Sequence, residues 1–282
     1  MASRDTPYMQ ERILEGLATA LYQRFLAANN RNDLDGAIVL GLQAVDLKAY
    51  MSCSVRAQYT TDLVLALSCF FTYGIPTDID EPVRLAQEAI TMAQDGGRSE
   101  HLAWHFCGLA IALRGRFSAT GNPKGLIKTI SLGQCAVDMT SEDDPRRAFY
   151  LIIYATALHF RYLYTSKMAD LSSCIEIGLE AWYLSSRGAM AGDYHNQMIC
   201  AGNVAKFLQD RYLLEGQAFD LERAMEFQRL VKSRRLIFGK GEPYSFFVKH
   251  EGSRNTGAAP HTPRMERKGV SLNDVQLSAL SF

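Results

Sequence analysis

Apolar residues return at every fourth position in long segments of the chain: Leu17, Leu21 and Phe25 in one, Leu109, Leu113 and Phe117 in another. That spacing collects them on one face of an α-helix and predicts a stripe buried against neighbouring elements. Polar connections interrupt the pattern at residues 29–32, 73–76, 120–123, 166–167 and 215–218. The chain therefore reads as pairs of helices joined by short turns, and no strand is needed to account for it. The second helix of a pair opens near Asp33, Asp78 or Asp220, where a carboxylate is expected to accept bonds from the free amides of the first turn.

The pairs repeat. Residues 17–25 (LATALYQRF) are echoed by 109–117 (LAIALRGRF), and 38–46 (IVLGLQAVD) by 130–138 (ISLGQCAVD), all at one offset of 92. A template of small residues extends the register. Ala37, Gly41 and Ala44 correspond to Pro82, Ala86 and Ala89 at 45, to Thr129, Gly133 and Ala136 at 92, and to Cys174, Gly178 and Ala181 at 137. Ala224, Gln228 and Val231 follow at 187, so five units fill residues 9 to about 235. A glycine inside a helix costs about 1 kcal/mol relative to alanine. Its return in register at Gly41, Gly133 and Gly178 predicts a close crossing, read here as the contact between the two helices of a pair.

At these residues the chain resembles the tetratricopeptide (TPR) superfamily, whose units combine a Leu-Gly/Ala-x-x-Tyr motif with a later Ala-x-x-x-Phe-x-x-Ala motif. Leu17, Ala18 and Leu21 match the first; Ala37, Gly41 and Ala44 match the second, with glycine in place of the aromatic. The unit is roughly eleven residues longer than the usual 34, which predicts about an extra turn or two per helix. This longer unit resembles divergent arrays in fungal proteins that also carry CHAT protease-like or nucleotide-switch domains. The resemblance covers about four fifths of the chain. It implies a sensing or docking role for the array and carries over no catalytic activity.

Thirty basic and thirty acidic residues cancel, so net charge attracts the chain neither to nucleic acid nor to an anionic membrane. Hydrophobic residues make up 48% of the chain, ample for a core without staples. The polar start lacks the apolar core of a secretory signal, and the longest apolar stretches, 63–71 and 149–160, fall short of the roughly 20 residues that span a bilayer. An intracellular location follows, cytoplasmic first and nuclear second. Six dispersed cysteines, Cys53, Cys69, Cys107, Cys135, Cys174 and Cys200, have no zinc-ligand spacing and are expected to be reduced and buried.

Tests for chemistry mostly fail. His101 and His105 share a helix face at metal-ligand spacing, but Leu102 stands where a zinc protease carries glutamate. The acidic residues Glu142, Asp143 and Asp144 before Pro145 read as a loop and helix start. Residues 121–125 (GNPKG) lack phosphate-loop spacing and read as a repeat turn. No nucleophile elbow is present. Lys232, Arg234 and Arg235, with Lys240, complement the dipole of the last helix, a docking or import signal being the alternative. Trp104 and Trp182 read as core.

The expectation is an all-α, right-handed solenoid of about five helix-turn-helix units, some ten helices, over residues 9–240. A segment 1–8 precedes it and a largely flexible tail 241–282 follows, whose closing residues 275–282 are a candidate amphipathic docking element. Tyr22, Gln23, Arg114, His159, Gln209 and Asp210 are expected to be exposed on or near a concave, partner-binding face. No cofactor or metal is implied. The leading reading is a scaffold for a protein or peptide, with self-association possible and neither nucleic acid nor membrane as partner. The alternatives are a stand-alone regulatory relative of a larger fungal immune-like protein, and an accessory or catalytic helical protein of metabolism.

Overall fold

The computed structural model describes residues 5–28, 30–46, 52–72, 78–96, 101–187 and 194–238. Among them the chain is all-helical, with ten α-helices and no strand. They run α1 (Asp5–Ala28), α2 (Arg31–Asp46), α3 (Cys53–Thr72), α4 (Glu81–Asp95), α5 (Leu102–Thr120), α6 (Leu126–Asp138), α7 (Arg147–Thr165), α8 (Met168–Arg187), α9 (Tyr194–Glu215) and α10 (Ala218–Phe238). The connection at 73–76, the tail and its closing segment lie outside the described residues, as does Lys240.

Each helix packs on its sequence neighbours, and the odd-numbered helices also pack on one another in succession, α1 on α3, α3 on α5, α5 on α7 and α7 on α9. Every substantial contact is thus between helices adjacent or next-but-one in sequence, which is consistent with a solenoid. A continuous core runs through these contacts, from Phe25 and Leu34 through Leu109, Tyr150 and Ile152 to Phe207 and Phe227.

The backbone keeps the sequence register at the turns. The first helices of units three, four and five end on residues in the left-handed conformation, Gly121 (φ 67°), Ser166 (φ 58°) and Gly216 (φ 71°), which stand at equivalent positions. Each returns its amide to the carbonyl four residues back, on Phe117, Tyr162 and Tyr212. A left-handed residue after the last turn satisfies a helix-end carbonyl and turns the chain sharply. In unit three Asn122 then accepts a bond from the Lys124 amide and opens the short 3-10 turn Pro123–Gly125, so residues 121–125 form a turn between two helices.

Most of the small-residue template is buried: Ala37, Ala44, Ala86, Ala89, Ala136, Cys174, Ala181 and Ala224 are each 3% exposed or less, while Gly41, Gln228 and Val231 are half-buried. The glycines work differently from the expectation. A Cβ on Gly41 would meet Leu63 Cδ1 at 3.0 Å, one on Gly133 would meet Tyr154 Cα at 3.0 Å, and one on Gly178 would meet Val204 Cγ2 at 3.1 Å. Leu63, Tyr154 and Val204 all belong to the first helix of the following unit. These three glycines seat units one, three and four on the unit that follows; they do not close a pair. Position 36 serves the pair instead, since a Cβ on Gly36 would meet Leu21 at 3.0 Å.

Two other expectations need correction. Leu17 of the predicted buried stripe is 49% exposed, with Met9 and Ile13 on the same face, whereas its counterpart Leu109 is 2% exposed. Helix α5 has α4 to pack on, and no described helix precedes α1. Cys53 and Cys135 are exposed; Cys69, Cys107, Cys174 and Cys200 are buried, and all six are free thiols. Burial pushes the Cys107 and Cys174 thiols well above their ordinary pKa, which keeps them protonated.

Candidate functional site

The clearest recurring polar device joins the two helices of a unit. Arg24 near the end of α1 donates from Nε and Nη2 to both carboxylate oxygens of Asp33 in the first turn of α2, at 2.7 and 2.6 Å. Arg161 clasps Asp170 and Arg211 clasps Asp220 through the same atoms at the same two distances. The register offsets of 137 and 187 carry Arg24 and Asp33 onto these residues. Planar two-bond pairing fixes orientation as well as distance. Asp33 and Asp220 were expected to cap backbone amides; their carboxylates are instead engaged by arginine, and the Arg24 guanidinium holds the Asp33 carboxyl below the usual carboxylate range. The signal was present in the sequence as an arginine nine residues before an aspartate, three times in register.

The clasp is split in the middle of the chain. Unit two keeps the acid as Asp78 but has Cys69 in place of the arginine; unit three keeps the base as Arg116 but has Gly125 in place of the acid. Cys69 is buried and donates to the Leu65 carbonyl, while Asp78 accepts from the Asp80 amide. Arg116 reaches across units and donates one bond, Nη1 to Asp80 Oδ1 at 3.1 Å, to a carboxylate that is 70% exposed. An open groove of about 280 Å³ lies here, lined by Ile79, Asp80, Leu113, Arg116, Thr120, Asn122, Lys124 and Gly125.

The six residues expected to be exposed on a binding face are placed differently from one another. Gln23 is exposed and Gln209 half-buried. Tyr22 is half-buried, stacked on Phe25 and 3.8 Å from Cys69 Sγ. Arg114 and His159 are buried, contrary to expectation, because their stems and rings are consumed by packing between first helices. The Arg114 guanidinium lies 5.6 Å from the Phe160 ring centre on α7. His159 sits 4.8 Å from the Phe207 ring on α9 and contacts Asp210 Oδ2 through Nε2 at 2.8 Å. Lys206 completes this cluster with a 2.7 Å bond to the other oxygen of Asp210.

Burial lowers the His159 pKa and keeps the ring neutral, the Asp210 contact opposing but not reversing the effect. Burial alone would raise the Asp210 pKa; the bond from His159 and the Lys206 charge outweigh it and leave the carboxyl below its ordinary value. A neutral imidazole donating to a carboxylate already held by lysine ties α7 to α9.

A second polar cluster lies between α1, α3 and α5. Trp104 Nε1 donates to Asp62 Oδ1 at 3.3 Å, which gives this tryptophan a polar role besides its packing on Phe149. Burial pushes the Asp62 carboxyl up to about 7, against the effect of the Trp104 bond. Asp62, Glu15 and Tyr59 line a cavity of about 30 Å³, room for about one water molecule. His105, the partner of His101 in the metal-spacing pair, is buried with Nδ1 2.6 Å from the Thr61 hydroxyl. Since that hydroxyl proton is donated to the Ala57 carbonyl, Nδ1 is the donor to Thr61. Burial lowers the His105 pKa to about 4, so the ring is neutral at physiological pH.

Other singled-out residues fall in structural places. Asp144 accepts from the Arg146 amide in the turn before α7, and Trp182 packs edge-on against Phe227. Lys232 is exposed near the end of α10. No three metal-ligating side chains cluster among the described residues, and no described helix is long and apolar enough to cross a membrane. No protein family, curated protein or solved structure matches this chain.

Proposed function

We propose that the chain is a tetratricopeptide-like array, coiled as a right-handed solenoid, that acts as a scaffold binding a protein or peptide along the face formed by its first helices. The observation that carries this reading is the single register shared by the Arg–Asp clasps, the left-handed turn residues and the glycines that seat successive hairpins. Contacts that recur in register are what a repeat array is built from, and such arrays offer long surfaces where affinity is assembled from many shallow contacts.

Gln23 and Gln209, two first-helix residues that keep contact with solvent, are the handles for a test. Proximity labelling in cells with the native chain is expected to enrich a protein that is lost when both glutamines are changed to glutamate in a normally folded variant. Equal labelling profiles for the native chain, the variant and an unrelated helical control would contradict the scaffold.

A further inference from the structure

We propose that the open clasp of unit three is a binding slot for a carboxylate presented by another molecule, which occupies the place that Asp33, Asp170 and Asp220 fill in the other units. The inference deepens the scaffold reading by naming the chemistry of one contact point. It rests on that reading only for the source of the carboxylate, an acidic side chain of a protein.

Three closed clasps define what the arginine at this position is built to hold: a carboxylate, gripped through Nε and Nη2. In unit three the arginine remains and the acid does not. A Cβ on Gly125 would stand 3.9 Å from Arg116 Nη2, so the place from which the missing acid would reach is next to the guanidinium. Arg116 has turned a different nitrogen, Nη1, toward Asp80, and that bond leaves in place the Nη2 side that its counterparts use.

The surroundings suit an anion arriving from solvent. Lys124 adds a second positive charge to the groove, against the single negative charge of Asp80, and Thr120 and Asn122 add polar groups at its rim. The volume of about 280 Å³ accommodates the end of a side chain together with some of its backbone. Leu113 and Ile79 supply an apolar wall for the methylene next to the carboxylate. Arginine suits this task because its fork matches the two oxygens of a carboxylate, and the groove is shallow enough for a partner's side chain to enter.

The test is a nuclear magnetic resonance titration of the full chain, reading the Arg116 Nε–H and Gly125 amide signals. The probes are acetate, the blocked tripeptide acetyl-Gly-Asp-Gly-amide, its Asn counterpart, and sulfate. The proposal expects saturable shifts of both signals with the Asp peptide, none with the Asn peptide, and loss of the Arg116 Nε–H response in Gly125→Asp, whose own carboxylate fills the slot. Arg116→Gln, read at the Gly125 amide, gives the same loss without adding a side chain at the turn, and decides the matter if Gly125→Asp does not fold. A response to acetate alone would support the slot and assign it to small free carboxylates. No response to either carboxylate, an equal response to sulfate, or shifts that persist in both variants would overturn it. None of these readings depends on a cellular partner, so failure of the scaffold and failure of the slot are distinguishable.

Discussion

The outer units and the middle units solve the same joint in different ways. In units one, four and five an arginine and an aspartate close each hairpin with two parallel bonds; in units two and three each half of that pair survives alone, and a longer bond from Arg116 to Asp80 runs between units. The acids of the closed clasps are at most 8% exposed, whereas Asp80 is 70% exposed. The contrast separates two uses of one side-chain position. Where the carboxylate is shielded the pair holds a hairpin together, and where it is absent the same arginine faces a groove open to water.

Substitutions in the closed clasps and in the middle units should act differently. The largest effect is expected from Arg211→Ala, which strands the Asp220 carboxylate at 2% exposure. Removing one partner of a fully buried pair costs 3–5 kcal/mol, and with Arg211 itself 26% exposed the loss should be about 2 kcal/mol in chemical denaturation.

Next in size is Asp62→Asn in unit two. Burial raises the folded pKa of Asp62 to about 7, above its unfolded value, so its contribution is fully favourable below the unfolded pKa and is lost as pH rises through about 7. The variant should therefore gain stability on the order of 2 kcal/mol at pH 8 and none at pH 3. Asp33 in a closed clasp has the opposite sign. Its pKa is held below the unfolded value, so its stabilisation is present above that value and disappears as pH falls through the lower, folded one. Denaturation curves across pH for Asp62→Asn and Asp33→Asn should diverge in these opposite directions.

Gly125→Asp should close the unit-three clasp and add about 1 kcal/mol, from an ion pair and from a less flexible unfolded chain. Gly125 has φ −82° and its nearest side-chain neighbour would be 3.5 Å from the new Cβ, so neither strain nor collision opposes the change. The smallest effect belongs to Arg116→Ala, whose carboxylate partner Asp80 is mostly in water; stability should fall by no more than about 0.5 kcal/mol. A loss equal to that of Arg211→Ala would erase the distinction between the two regions.

Much of the fold was legible because it rests on periodicity. The four-residue spacing located the helices, and the offsets of 92, 137 and 187 aligned residues that the structure places in equivalent contacts. What escaped was which neighbour a residue faces. Gly41, Gly133 and Gly178 were recognisable as close-approach positions, yet the sequence does not say whether the approaching helix is the partner within the hairpin or the first helix of the next one.

The site was less legible for a related reason. Arg114 and His159 look like surface residues by type, and only the approach of α7 to α5 and of α9 to α7 buries them beside Phe160 and Phe207. The clasps, by contrast, could have been read directly. The offsets of 137 and 187 that align the small residues also bring Arg24, Arg161 and Arg211 into one column, nine residues before Asp33, Asp170 and Asp220.

Neighbour-only coupling between hairpins is tested most directly by hydrogen exchange, resolved by segment, on the native chain and on Arg211→Ala. An array should lose protection mainly in α9 and α10, less in α7 and α8, and not at all in α1 and α2. An equal loss across all ten helices would show one cooperative bundle and contradict the account.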